Sequence, residues 1–510
     1  MSGIKSLAGD TAVYGISTVL GRLLNWLLVP LYTYVFSTGE YGVVAFVYSI
    51  TAFALVLLTY GMETGYFYFA NPRKEHNWKD PSEVYSTCLV SILCTSTVFV
   101  IAVVAFLPKL SALLKCSGHD SYVMIMALCV AIDAFLNIPF AYLRQNNKRM
   151  KYAALKFINV CVNIGFNLFF ILLCPWLMDV APATVGWFYD PSYGIGYIFL
   201  SNLLATIVNL IMLLPELRGF RWRFNSRLWR SMIIYSAPLL IMGLAGILNQ
   251  NVAQILYPYL PSAGNVMSEL GIYSANYRIA LILVVFLQAF RMAYDPFIFS
   301  RNKEVGKDYD MGKDTIFSDV MNYFIISTLV IFLAVMFYLN IIRYLIAPRF
   351  WGGLGVVPIV MMGEIFFAVF YNLSAWYKLG NQTRWGMYFS LIGVVVTFSV
   401  NILLVPSIGY MACAWGTFAC YGTMMAVSYL VGLKKSPIRY RTAHILSYFL
   451  LAAIFYFAGM HVIPAISSNI WFTLVTRTLL LVLFCIIAAM REKKLVAFVK
   501  TSLLHRRAKA

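Results

Sequence analysis

Apolar runs of about 20 residues, the length that crosses a bilayer as a helix, recur from one end of this chain to the other. They fall at 11–36, 42–62, 85–107, 122–142, 152–174, 195–214, 231–257, 271–293, 318–339, 356–373, 385–405, 411–431, 443–463 and 470–490. Of the 510 residues, 61% are hydrophobic and only 12% charged, too little charge to cover a soluble protein of this length. The pattern predicts an all-α integral membrane protein with fourteen transmembrane helices.

The net charge of +19 invites a nucleic-acid reading, but its distribution excludes one. Alternate connecting loops carry nearly all the Lys and Arg, among them Arg144, Lys148, Arg149 and Lys151, or Lys434, Lys435, Arg439 and Arg441. The other set holds only Lys109, Lys115, Arg343 and Arg349. Under the positive-inside rule, an even number of spans and two cytoplasmic termini follow. The basic loops then serve as topology signals and contacts to anionic lipid heads. No cleavable signal peptide is visible, because the first run is too long and carries Arg22.

A basic, aromatic-rich segment, 217–230, separates the first six spans from the next six, with Trp222 and Trp229 expected at headgroup depth. The organisation expected is an N-terminal lobe at 1–216, the connector at 217–230, a C-terminal lobe at 231–433, two further spans within 434–490, and a basic tail at 491–510. A faint repeat joins the lobes: Gly39-Glu40-Tyr41-Gly42 before the second span and Ser268-Glu269-Leu270-Gly271 before the eighth. With both halves entering from the same side, such repeats are related by an axis along the membrane normal.

Charge inside the spans marks the candidate site. Arg22 lies about 16 Å along the first span, near the middle of a hydrocarbon core about 30 Å thick, where an arginine costs at least about 2.5 kcal/mol. It cannot shed its proton, so it needs water, a carboxylate or an anionic ligand. Tyr14, Thr18 and Asn25 share its stripe at helical spacing. In the fifth span Lys156, Asn159, Asn163 and Asn167 form a second stripe, read either as interhelical glue or as the wall of a water-filled cavity. The seventh span adds Asn249 and Asn251. Arg278 in the eighth, about 10 Å below the outer surface, either shares a cavity with Arg22 or snorkels to the headgroups; Arg477, seven residues into the last span, is near enough to the outer end to snorkel there. Asp133 and Glu364 are candidates for H⁺ or Na⁺ coupling, or counter-ions to the arginines.

Two planar guanidiniums in a low-dielectric chamber favour an anion such as a phosphate. The five histidines are scattered, so no metal site forms by spacing, and no phosphate-cradling glycine motif is present. The nine cysteines show no ligand spacing, although Cys116 and Cys174 could bridge. No enzymatic constellation and no cofactor are expected.

Several strings resemble the Wzx-type polysaccharide flippases: Pro30-Leu31-Tyr32-Thr33 through Glu40-Tyr41-Gly42, Ser236-Ala237-Pro238-Leu239-Leu240, Gly271-Ile272-Tyr273-Ser274-Ala275, Gln288-Ala289-Phe290-Arg291 and Pro406 to Ala412. The resemblance implies a MATE-like fold of two six-helix lobes plus two C-terminal helices, working by alternating access in a bacterial inner membrane. It implies an undecaprenyl-diphosphate-linked oligosaccharide as substrate, for O-antigen or related lipopolysaccharide biosynthesis, with Arg22 and Arg278 on the diphosphate. A polysaccharide polymerase and a chain-length regulator are the partners it implies. The chain departs from relatives in the seventh span, where its run Asn249 to Asn251 is neutral. A cation-coupled MATE-type drug exporter is the alternative, disfavoured by two arginines against few carboxylates. A membrane glycosyltransferase or polymerase is a third reading, and short loops weigh against it.

Overall fold

The computed structural model describes residues 21, 23–24, 26–71, 80–217, 223–262, 264–304, 316–379, 382, 384–435, 438–467 and 469–492. Among them the regular elements are helices throughout, and thirteen are long and apolar enough to cross a membrane. The first expected span lies largely outside the described residues; its last turns form α1 (Leu28–Val35). The next helices are α2 (Thr38–Ala70), α3 (Pro81–Ala105), α4 (Asp120–Gln145), α5 (Arg149–Val180), α6 (Gly196–Leu217) and α7 (Ser226–Tyr259). Then come α8 (Val266–Met292), α9 (Ile316–Phe337), α10 (Val356–Leu379), α11 (Arg384–Ile408), α12 (Met411–Lys435), α13 (Thr442–Ile466) and α14 (Ile470–Arg491). Each of the thirteen later expected spans coincides with one of α2–α14.

Local signals set the starts. Ser37 caps α2 in a reciprocal box with Glu40, so this helix begins four residues before the apolar run that betrays it. Asp80 caps α3 ahead of Pro81, and Asn225 and Asn469 cap α7 and α14 through the first free backbone N–H groups. Within α2 the chain turns through Tyr60 and Gly61, both left-handed. Ser236 of α7 donates to the Gly61 carbonyl (3.3 Å), which also accepts from the Thr64 and Gly65 backbone N–H groups.

In the first half α3, α5 and α6 gather around α4; in the second, α8, α9 and α12 pack on α10, and α11 on α12. The two sets meet where α2 lies against α7 and α8. Large apolar side chains such as Val98, Leu403, Leu450 and Trp471 point outward, as a lipid-facing surface requires. The connectors at one end of the bundle carry most of the basic residues, and that end is called the basic face below. Part of the expected connector, 218–222, lies outside the described residues. Trp229 lies in the first turn of α7 and donates its ring N–H to Ser91 (2.7 Å). All nine cysteines are free, Cys116 and Cys174 included.

Candidate functional site

Arg278 is the residue around which the interior opens. Helix α8 starts at Val266, five residues before the apolar run suggests, so Arg278 stands about 18 Å along it rather than 10 Å. It lines two cavities at once, one of about 280 Å³ and one of about 430 Å³. Snorkelling is thereby ruled out as the account of this side chain. Among the described residues no carboxylate lies within 4 Å of it.

The smaller chamber is walled by Tyr32, Tyr41, Tyr48, Asn163 and Asn202. The hydroxyls of Tyr32, Tyr41 and Tyr48 all lie within the field of Arg278. Asn167 fixes this wall: it accepts from the Tyr32 hydroxyl (2.9 Å) and donates back to the Asn163 carbonyl (2.8 Å). In the larger chamber Gln250, Asn251 and Gln254 of α7 face Tyr277, Gln288 and Arg291 of α8 and Glu364 of α10. Glu364 is only 4% exposed, and among the described residues it makes no ion pair. Trp26 closes the boundary by donating its ring N–H to the Arg278 carbonyl (2.8 Å).

Other expected cavity residues are engaged elsewhere. Asn249 donates to the Ser390 carbonyl of α11 (3.0 Å) and accepts from Cys420 of α12. Asn159 donates to the Ala205 carbonyl of α6 (3.1 Å). Both are interhelical glue, because a buried amide on a packed face must find a partner there. Lys156 lies 4.0 Å over the Phe140 ring and within the field of Asp133, which accepts from Thr206 (3.4 Å). Asp133 therefore belongs to the Lys156 cluster between α4, α5 and α6, away from Arg278. Tyr14, Thr18, Arg22 and Asn25 lie outside the described residues.

Arg291, at the end of the eighth expected span and not singled out there as a site residue, lines the larger chamber, its guanidinium 4.2 Å from the Tyr371 ring centroid. A helical stripe through Tyr277, Leu281, Val284, Gln288 and Arg291 is the signal that would have found it. Arg477 also departs from expectation. It is 3% exposed and donates to the carbonyls of Gly459 (2.9 Å) and Phe337 (3.2 Å).

One end of the chambers is closed by a glycine crossing. A Cβ on Gly42 would stand 1.8 Å from the Met267 carbonyl oxygen, and one on Gly271 would stand 1.9 Å from that of Thr38. The two strings that read as a faint repeat thus touch each other, with Thr38 and Ser268 hydroxyls hydrogen-bonded (2.7 Å). Nearby, Arg349 forks onto the carbonyls of Thr33 and Tyr34 at the end of α1 (2.9 and 2.6 Å), and Tyr34 donates to the Tyr344 carbonyl (3.1 Å). These contacts seal the face opposite the basic one.

The profile of the polysaccharide biosynthesis protein family matches residues 7–301, more than half of the chain. The chain belongs to that family. Its fold is similar to that of the lipid II flippase MurJ in an inward closed conformation: TM-score 0.71, 14% identity, covering 96% of this chain and 99% of that one. It is similar also to an inward-facing multidrug resistance MATE family transporter of the MOP superfamily, with TM-score 0.66, 13% identity, and coverage of 81% and 94%. No curated protein sequence matches it. This member of the polysaccharide biosynthesis family thus has the fold of MOP-superfamily membrane proteins.

Proposed function

We propose that the chain is a Wzx-type flippase that moves an undecaprenyl-diphosphate-linked oligosaccharide from the cytoplasmic to the periplasmic leaflet of a bacterial inner membrane. The observation that carries this is Arg278, deep in the span, lining two chambers and without a carboxylate partner among the described residues. A fixed guanidinium in such a place favours an anion, and a diphosphate matches its planar fork. Arg22, by sequence, would approach the same chamber from the first span. Family membership in polysaccharide biosynthesis and the flippase-like fold support the substrate class. The positive-inside rule puts the basic face, and both termini, in the cytoplasm. Residues 1–216 and 231–433 would then form the lobes, rocking about the sealed Gly42–Gly271 end to alternate access.

Glu364 favours one competing reading, a cation-coupled exporter, since a carboxylate on the same chamber with no ion-pair partner among the described residues suits a cation. Within the flippase reading Glu364 is the candidate for H⁺ or Na⁺ coupling. The deciding experiment is Arg278→Ala in a strain that depends on this chain for surface polysaccharide. Loss of the diphosphate contact is expected to lower export about a hundredfold, at normal protein abundance, with lipid-linked precursor accumulating inside. Normal export by this variant, or drug resistance lost while export persists, would rule the proposal out.

A further inference from the structure

A second set of cavities lies on the other face of α10. Glu364 and Phe367 point toward the Arg278 chamber, whereas Phe366, Val369 and Leu373 line an apolar space of about 510 Å³ shared with α9, α12 and α13. An adjoining space of about 760 Å³ has Phe366, Leu446 and Phe449 in common with it. The two together make a continuous groove whose walls are almost wholly hydrocarbon.

The depth of this groove is set by its lining. Met321 stands within about six residues of the start of α9, Leu373 and Tyr429 within about six of the ends of α10 and α12, and Ile445 within about three of the start of α13. At about 1.5 Å per residue, each lies within about 10 Å of the basic face. That is the level where the ester groups and first methylenes of a leaflet begin. Water does not fill an apolar groove; at this depth the surrounding medium offers an acyl chain.

Two polar features sit at the mouth. The Tyr440 hydroxyl, part of the groove wall, is buried with no hydrogen-bond partner among the described residues. A buried hydroxyl left unpaired is costly, and an ester or phosphate oxygen would accept its proton. Beside it in sequence are Lys434, Lys435, Arg439 and Arg441. Lys434, Arg439 and Arg441 are exposed; Arg441 also pairs with Asp319 (3.3 Å), and Lys435 lies 4.5 Å over the Trp385 ring. Among the described residues Asp319 and Glu492, the latter paired with His444, stand against these four cations, which leaves an excess of positive charge that suits an anionic headgroup.

We propose that the α9–α10–α12–α13 groove binds one acyl chain of an anionic glycerophospholipid from the leaflet at the basic face. Tyr440 hydrogen-bonds its ester region, and Lys434 and Arg439 hold its headgroup. The bound chain wedges α13 against α10 and α12, so the lipid becomes part of the packing there. This assignment is independent of what the Arg278 chambers carry.

The test uses the full chain, purified in mild detergent and stripped of lipid by prolonged washing, then mixed with phosphatidylglycerol or with phosphatidylcholine of the same chains. Bound lipid is counted by native mass spectrometry. The wild-type protein is expected to hold phosphatidylglycerol at least about fivefold better than phosphatidylcholine. Ala426 lines the groove and is exposed, so Ala426→Phe fills the space with little strain and is expected to cut bound phosphatidylglycerol about tenfold. Tyr440→Phe keeps the shape and loses the hydroxyl, for an expected drop of about fivefold. A Lys434→Gln, Arg439→Gln double variant is expected to bind both lipids equally. Equal binding of the two lipids by the wild type, or undiminished binding by both Ala426→Phe and Tyr440→Phe, would overturn the proposal. So would finding that the lipid carried through purification, and lost in Ala426→Phe, is a polyprenyl diphosphate rather than a glycerophospholipid.

Discussion

Two arginines within the spans, Arg278 and Arg477, meet the same difficulty in opposite ways. Arg477 is shut in at 3% exposure, but its guanidinium ends on two backbone carbonyls that their own helices have released. Phe337 is the last residue of α9, and Gly459 lies in a π-helical turn of α13, both places where carbonyls lose their usual partners. Arg278 keeps open space around it, meets the Tyr41 hydroxyl and has no such carbonyl fork among the described residues. The difference separates a structural charge, whose partners are built in, from one that the proposed function gives to an arriving anion. Burial alone would rank Arg477 ahead of Arg278 as a site for that anion.

This contrast can be broken experimentally. Arg477→Met leaves two buried carbonyls unpaired between α9, α13 and α14, and is expected to destabilise the protein by about 4 kcal/mol, read as lost abundance and a lower unfolding temperature in detergent. Arg477→Lys keeps the charge but reaches the two carbonyls poorly; about 2 kcal/mol of destabilisation is expected in the same assay. Trp26→Phe removes one hydrogen bond to the Arg278 backbone and should cost about 1 kcal/mol. Arg278→Met is expected to change stability by less than about 0.5 kcal/mol, or to raise it, since a desolvated cation is replaced by an apolar chain. If Arg278→Met proved as damaging to folding as Arg477→Met, Arg278 would be a second structural charge and the contrast would fall.

The same pair explains how much the sequence discloses. Helices α2–α14 were legible because a bilayer asks for long apolar runs, and hydropathy reports those directly. Arg278 was legible as a charge in such a run, though its depth was not, because α8 begins at Val266 among polar residues. The fate of Arg477 was hidden: its partners lie 18 and 140 residues away, and the π turn at Ala458–Val462 leaves no compositional trace. Asn249 misled for a related reason. An amide toward a cavity and an amide toward Ser390 look alike in sequence, and only helix rotation tells them apart. The Ser37-x-x-Glu40 box, by contrast, is a local signal that marks the start of α2 at Thr38, four residues before the apolar run at 42 by which the span was placed.

The glycine crossing carries one further consequence. Gly42 makes room for a carbonyl four residues before Gly271, and Gly271 makes room for one four residues before Gly42. Residue i meets j while j meets i, which is the signature of an isologous contact between two subunits of a dimer. Here it lies within one chain. Neither glycine can gain a methyl group without displacing the opposite backbone, so the constraint falls on both positions together, and a change at one cannot be absorbed by the other.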